Sequence, residues 1–170
     1  MINRLHVLVP VDFSTISLNA IRAVKKLAFP SARITLLHVY NPLPSSASVS
    51  YELAPAQDLI FAHLEKRLFN ALQEIRRTEL AGSEDVGVEL ECTSFLSPAK
   101  AICQFAESKS VDLIVLTTHG RTGLSHMLMG SVAEEVVRTS TCPVLVVRSD
   151  RYFNVERDQS DFATRDATLR

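Results

Sequence analysis

Residues 111–148 read VDLIVLTTHGRTGLSHMLMGSVAEEVVRTSTCPVLVVR. Val111 to Thr118 is a short, near-continuous apolar run. His119 to Gly130 is a loop holding Gly120, Gly123 and Gly130, three of the five glycines in the chain. Ser131 to Ser140 changes to a helical period, and Pro143 to Arg148 (PVLVVR) is again apolar. A strand that is apolar on both faces belongs to a parallel sheet with helices over both sides. The stretch therefore predicts strand, glycine loop, helix and parallel strand.

The same alternation extends toward the N-terminus. Leu5 to Val11 (LHVLVPV) and Arg33 to Val39 (RITLLHV) are two more apolar runs. Gly87 to Thr93 alternates, with Val88, Leu90 and Cys92 against Glu89, Glu91 and Thr93. One wet face suits an edge strand. Ser14 to Phe29 carries Ala20, Ile21, Ala23, Val24, Leu27 and Ala28 at helical spacing, with Ser14 or Ser17 as its cap. Pro55 to Leu80 places Ile60, Leu64, Leu68, Leu72 and Ile75 on one stripe. Ser97-Pro98 reads as N-cap and first helical residue of a third helix with the apolar face Ala101, Ile102, Phe105 and Ala106. Ser131 with Glu134 matches a capping box at the fourth. The order βαβαβαβαβ argues a single α/β domain with a doubly wound parallel sheet of five strands and right-handed crossovers.

The chain has 170 residues, 46% of them apolar and 22% charged, with a net charge of −1. At this length folding buries about two-thirds of the unfolded surface, so no disulfide or metal staple is required. The charge balance argues against nucleic acid or a membrane surface as partner. Three cysteines, Cys92, Cys103 and Cys142, are an odd number without zinc-type spacing; they suit free thiols in a reducing cytoplasm. Neither a signal peptide nor a membrane-length apolar run is read. Asn41 to Ser50 is a Pro/Ser-rich loop. Residues 1–149 form the expected domain and 150–170 a polar tail outside its core.

In such a sheet ligands gather at the carboxyl ends of the strands, where the strand order reverses. Glycines let the backbone approach a ligand, and a helix N-terminus offers unpaired N–H groups with a positive dipole end. The loop before Ser131 therefore reads as an anion site, with phosphate as its ligand; the alternative is that the glycines only shape turns. Neither a Walker A loop nor a dinucleotide fingerprint occurs. The first strand instead ends in Pro10-Val11-Asp12-Phe13-Ser14. Asp12 there can meet a ribose hydroxyl, a metal bound to phosphates, or the N–H groups that open helix one.

Other residues point to less. His6 and His38 are expected as core or rim histidines and His63 as solvated. His119 and His126 have no carboxylates at ligand spacing, so no metal site is expected. Cys103 reads as inert core and Ser125 has no evident triad. Met127 and Met129 should pack or line the pocket mouth.

Val9 to Ser14, Leu36-Leu37-His38-Val39, Thr118 to Gly123, Gly130 to Glu134 and Cys142 to Val147 together resemble the universal stress proteins of the adenine-nucleotide-binding α/β superfamily. The resemblance covers about residues 3–149. It implies a Rossmann-like open sandwich of the adenine nucleotide α-hydrolase type, with strand order 3-2-1-4-5. Members that bind ATP carry Gly-x-x-Gly, nine residues, then Gly-Ser or Gly-Thr. Gly120, the segment Arg121 to Met129, and Gly130-Ser131 match; Thr117 stands where the first glycine would be and would present its backbone N–H.

The resemblance further implies that Pro10, Val11 and Asp12 line the ribose and adenine side and that Val39 meets adenine through its backbone. His119, Gly120, Arg121, Gly130, Ser131 and Val132 would surround the phosphates. The implied cofactor is ATP, alone or with Mg. The function expected is a nucleotide-binding stress or signalling module, with ATP occupancy biasing a dimer or partner surface. No lysine near the loop and no paired carboxylates are read, so any ATPase activity should be slow. The alternative, supported by Thr117, is an interaction module of the same fold without nucleotide. A receiver-like phosphotransfer domain would need an acidic pair at the first strand and a lysine before Pro143, where Cys142 stands. Pro143 to Arg148, expected at a sheet edge and apolar, is a template for a homodimer paired through that strand.

Overall fold

The structure is a computed structural model that describes residues 4–27, 32–41, 54–82, 86–92, 97–118 and 129–148. Five strands and four helices alternate: β1 (His6–Pro10), α1 (Leu18–Lys26), β2 (Arg33–Tyr40), α2 (Ala54–Glu79), β3 (Val86–Cys92), α3 (Pro98–Ser108), β4 (Leu113–Thr117), α4 (Ser131–Thr139) and β5 (Val144–Val147). They form one sheet in the order β3-β2-β1-β4-β5, with every pairing parallel. β3 and β5 are its two edges, as the alternation of one and the position of the other predict. The expected tail, 150–170, lies outside the described residues.

Period-two alternation in the strands divides the core in two. Val7, Val9 and Val11 join Ile34, Leu36 and Val115 on one face, packed with Ala20, Ile21 and Val24 of α1 and Leu72 of α2. Leu8, Leu37, Ile114 and Leu116 face the other way, onto Ala99, Ile102 and Phe105 of α3 and Ala133 and Val136 of α4. α1 and α2 thus cover one face, α3 and α4 the other. The winding reverses between β1 and β4, and this places a crevice at their carboxyl ends.

Several local expectations are corrected. The helix read from Ser14 begins at Leu18, because Ser14 and Ser17 are engaged in a turn. The Ser14 hydroxyl oxygen accepts from Ser17 N (3.1 Å), and the Ser17 hydroxyl donates to the Ser14 carbonyl (2.9 Å). Ser17 takes the N-cap position but makes no side-chain cap bond. The Ser131–Glu134 capping box does not form. Gly130 is the N-cap of α4, since its carbonyl already accepts from Glu134 N (2.9 Å), and Ser131 is the first helical residue. The α2 stripe is buried only in part: Leu72 is fully buried, whereas Ile60 is 63% exposed. At 26 residues α2 is about 39 Å long, against about 26 Å for the longest strand, so one end overhangs the sheet.

At β5, Ile114 N donates to Pro143 O (3.0 Å) and Thr118 N to Val147 O (3.1 Å). With the two-residue step of a parallel ladder, Pro143, Leu145 and Val147 turn toward β4. Val144 and Val146 turn their backbone N–H and C=O groups to the open edge. At the other end of β1, His6 is buried as expected. Its Nδ1 donates to the Lys109 carbonyl (3.3 Å) and its Nε2 pairs with Thr35 Oγ1 (2.9 Å). Among the described residues no helix is long and apolar enough to cross a membrane.

Candidate functional site

A cleft of about 360 Å³ opens at the carboxyl ends of β1, β2 and β4. This lies within the range of about 300–1,000 Å³ usual for ligand pockets. Pro10 ends β1 and Val11 and Asp12 follow it as one wall, Val39 belongs to β2 and Thr117 to β4, and Gly130, Ser131 and Val132 are the N-cap and first residues of α4. All eight are residues named from the sequence. His119, Gly120 and Arg121 lie outside the described residues, as do His126 and Met127. Met129 packs against the α3–α4 core.

The wall after β1 is a tight turn. Val11 N donates to Leu37 O (2.8 Å), continuing the β1–β2 ladder by one step. Asp12 Oδ1 accepts from Ser14 N (3.0 Å) and from the Ser14 hydroxyl (2.6 Å). The carboxylate thus closes the turn just after β1, not the first turn of α1. Phe13 between them has φ 63°, in the left-handed region. For a bulky side chain that conformation is rare and costs about 1–3 kcal/mol.

Three helix N-termini meet the cleft, that of α1 through its N-cap Ser17, and those of α3 and α4 differ. At α3, Ser97 Oγ accepts from Lys100 N (3.2 Å), the cap read from the sequence, and the same hydroxyl donates to the Glu135 carboxylate, 3.1 Å from each oxygen. A carboxylate therefore already sits at the positive end of the α3 dipole. α4 has no side-chain cap. Gly130 N donates to Thr118 O (2.6 Å), which leaves the N–H groups of Ser131, Val132 and Ala133 without intrahelical partners beside the cleft. Gly130 itself has φ −72° and ψ 152°, which any residue can adopt, so its glycine is not required by backbone sign.

Ser17, Leu37, His38, Pro98, Ile102 and Thr118 also line the cleft and were not named as site residues. The signal for most of them is positional: each lies at the carboxyl end of a strand or the first turn of a helix facing one. His38 is the rim histidine expected, 8% exposed. Cys103 is half-buried, its Sγ 3.4 Å from Thr139 Oγ1. Among the described residues no group of three or more His, Cys, Asp or Glu is placed to hold a metal ion. On the exposed face of α2 a side-chain hydrogen bond from Arg77 holds the Glu74 carboxyl below the usual carboxylate range and raises the guanidinium. Neither residue lines the cleft.

The family model described as the universal stress protein family matches residues 3–148. The chain belongs to the universal stress protein family. Among its relatives, Universal stress protein MJ0531 of Methanocaldococcus jannaschii is 34% identical over 148 residues, covering 85% of this chain and 82% of its own. Universal stress protein MJ0577 of the same organism is 31% identical over 157 residues, covering 84% of this chain and 93% of its own. The solved MJ0577 structure superposes with a TM-score of 0.69 at 27% identity, covering 87% of this chain and 98% of that one. A universal stress protein from Archaeoglobus fulgidus, solved in complex with dAMP, shares the fold with a TM-score of 0.52 at 24% identity, over 86% and 98% of the two chains.

Proposed function

We propose that this universal stress protein binds an adenine nucleotide, ATP first among them, and acts in the cytoplasm as a stress-response or signalling module. The observation that carries this reading is the uncapped N-terminus of α4 beside the cleft, facing the Asp12 turn across the winding reversal. The two sides suit opposite parts of a nucleotide. Three unpartnered N–H groups and a positive dipole end suit phosphate. A carboxylate suits ribose hydroxyls as their acceptor. Val39 and the apolar walls would receive the base, and His119, Gly120 and Arg121 would complete the phosphate side. Such a site fits ATP, with or without Mg. When bound, ATP would supply charge and contacts that bias a partner surface or a homodimer formed through β5. The dAMP complex of the Archaeoglobus fulgidus relative supports the ligand class.

Calorimetric titration with ATP, with and without Mg, tests the reading on the unmodified chain and on Gly130→Val. The backbone at 130 admits valine, so the variant should fold, while its branched side chain stands at the phosphate wall. Affinity should fall at least about tenfold, equal to about 1.4 kcal/mol. Unchanged affinity in a folded variant refutes the placement. An unmodified chain that binds no ATP leaves the interaction module without nucleotide, the reading that Thr117 favours.

A further inference from the structure

His38 holds the segment that carries Asp12. Its Nδ1 lies 2.6 Å from the Val11 carbonyl oxygen. A carbonyl only accepts, so Nδ1 carries the proton. The same ring packs on Phe13, with centroids 4.3 Å apart and planes inclined at 48°. Asp12 lies between these two points of attachment. Phe13 keeps its left-handed φ of 63° there, and a strained conformation of that kind persists only where its surroundings over-determine it. The turn is closed from its other side by Asp12 itself, through Ser14 N and Oγ. His38 belongs to β2, whose register with β1 is fixed through Pro10 opposite Leu37. The ring therefore references the turn to the sheet and not to a loop.

Resting on the reading of the cleft as an adenine-nucleotide site, we propose that His38 is a positioning residue. It acts through the Val11 carbonyl and the Phe13 ring to hold the strained turn in the one conformation that directs the Asp12 carboxylate for the nucleotide. A side chain serving only to fill the core would affect stability and affinity in proportion. A positioning residue ties affinity to one hydrogen bond, which a smaller side chain can restore. Asparagine places an amide N–H where Nδ1–H stands, without the ring. Phenylalanine keeps a ring and has no donor.

The test compares His38→Asn, His38→Phe and Phe13→Leu with the unmodified full chain. Three quantities are read: hydrogen exchange of the Ser14 amide without nucleotide, ATP affinity by calorimetry, and melting temperature. His38→Phe should exchange the Ser14 amide about tenfold faster and bind ATP about tenfold more weakly, as loss of a buried donor to a carbonyl implies. Phe13→Leu, which loses the ring contact and keeps the donor, should move both in the same direction by no more than about threefold, and His38→Leu, also donor-free, carries the comparison if His38→Phe does not fold. His38→Asn should stay within about threefold on both, whatever its melting temperature, because the donor is kept. The inference is overturned if His38→Asn loses as much affinity as His38→Phe. It is also overturned if exchange accelerates while affinity holds, or if Ser14 exchange is unaltered in the donor-free and ring-free variants. An unmodified chain that binds no ATP refutes the reading of the cleft instead. Ser14 exchange then still decides whether His38 holds the turn.

Discussion

Asp12→Ala separates turn-making from ligand binding. In the structure one carboxylate oxygen accepts two hydrogen bonds, from Ser14 N at 3.0 Å and from the Ser14 hydroxyl at 2.6 Å. Hydrogen bonds to a charged group contribute about 1.5–3 kcal/mol when dry and about 0.5–1.5 when neutral. This turn is half-buried and both Ser14 donors can turn to water, so the loss should sit near the lower figures, about 1–2 kcal/mol in total. For a chain of this size that is a fall of about 3–6 °C in melting temperature. Asp12→Asn keeps the accepting oxygen and should cost less than about 1 kcal/mol.

The ATP affinities should order the same variants more steeply. If the carboxylate also receives ribose hydroxyls, alanine removes about 2 kcal/mol of binding, near thirtyfold, and asparagine about 1 kcal/mol, near fivefold. Calorimetric titration gives the affinities and scanning calorimetry the melting temperatures. An Asp12→Ala protein that melts lower by the expected amount yet binds ATP as tightly as the unmodified chain would confine Asp12 to closing the turn.

Leu72→Ala should cost about 2–5 kcal/mol, since Leu72 is a fully buried side chain of α2 within the core. Ile60→Ala on the same stripe, at 63% exposure, should stay within about 0.5 kcal/mol, and thermal unfolding of both checks the contrast. The chain should run as a dimer in light scattering at micromolar concentration. Val146→Pro should weaken that dimer, because the Val146 N–H faces the open edge and not β4; a monomeric unmodified chain would refute the pairing.

The parts most legible in the sequence are those where one physical demand dominates. Burial on both faces makes β1, β2 and β4 near-continuous apolar runs, β5 keeps that pattern with Val147 buried and the rest half-buried, and alternation in the sequence of Gly87 to Thr93 marks the other edge, so the elements and both edges can be read directly. The Ser97-Pro98 start of α3 is equally readable, since an N-cap and a proline at the first helical position act within one turn. Positions set by competition between neighbours are less so. Ser131 and Glu134 have capping-box spacing, but Gly130 accepts the first helical bond and displaces the box. Ser14 or Ser17 reads as the cap; Ser17 takes the position, while Asp12 draws Ser14 into a turn that delays α1. The overhang of α2 depends on helix length against strand length, which no local periodicity carries. His38 lies beside Val39 in sequence, but its hold on Val11 and Phe13 requires the register of β2 on β1.

The hydrogen bond from Gly130 N to Thr118 O joins the two ends of the segment that separates β4 from α4. Those ends are also fixed independently, one by the sheet and the other by the packing of Ala133 and Val136. The chain between them is therefore a ring already closed. Changing the size of such a ring alters its closure entropy only slowly, by about 0.6 kcal/mol for each doubling of length. Insertions, deletions or wholesale replacement within 119–128 should leave the frame of the domain nearly as stable as before. Mutational drift can thus rewrite residues 119–128 while the described walls of the cleft stay in register, and a graft from another member of the family at these two joints should be accepted by the fold.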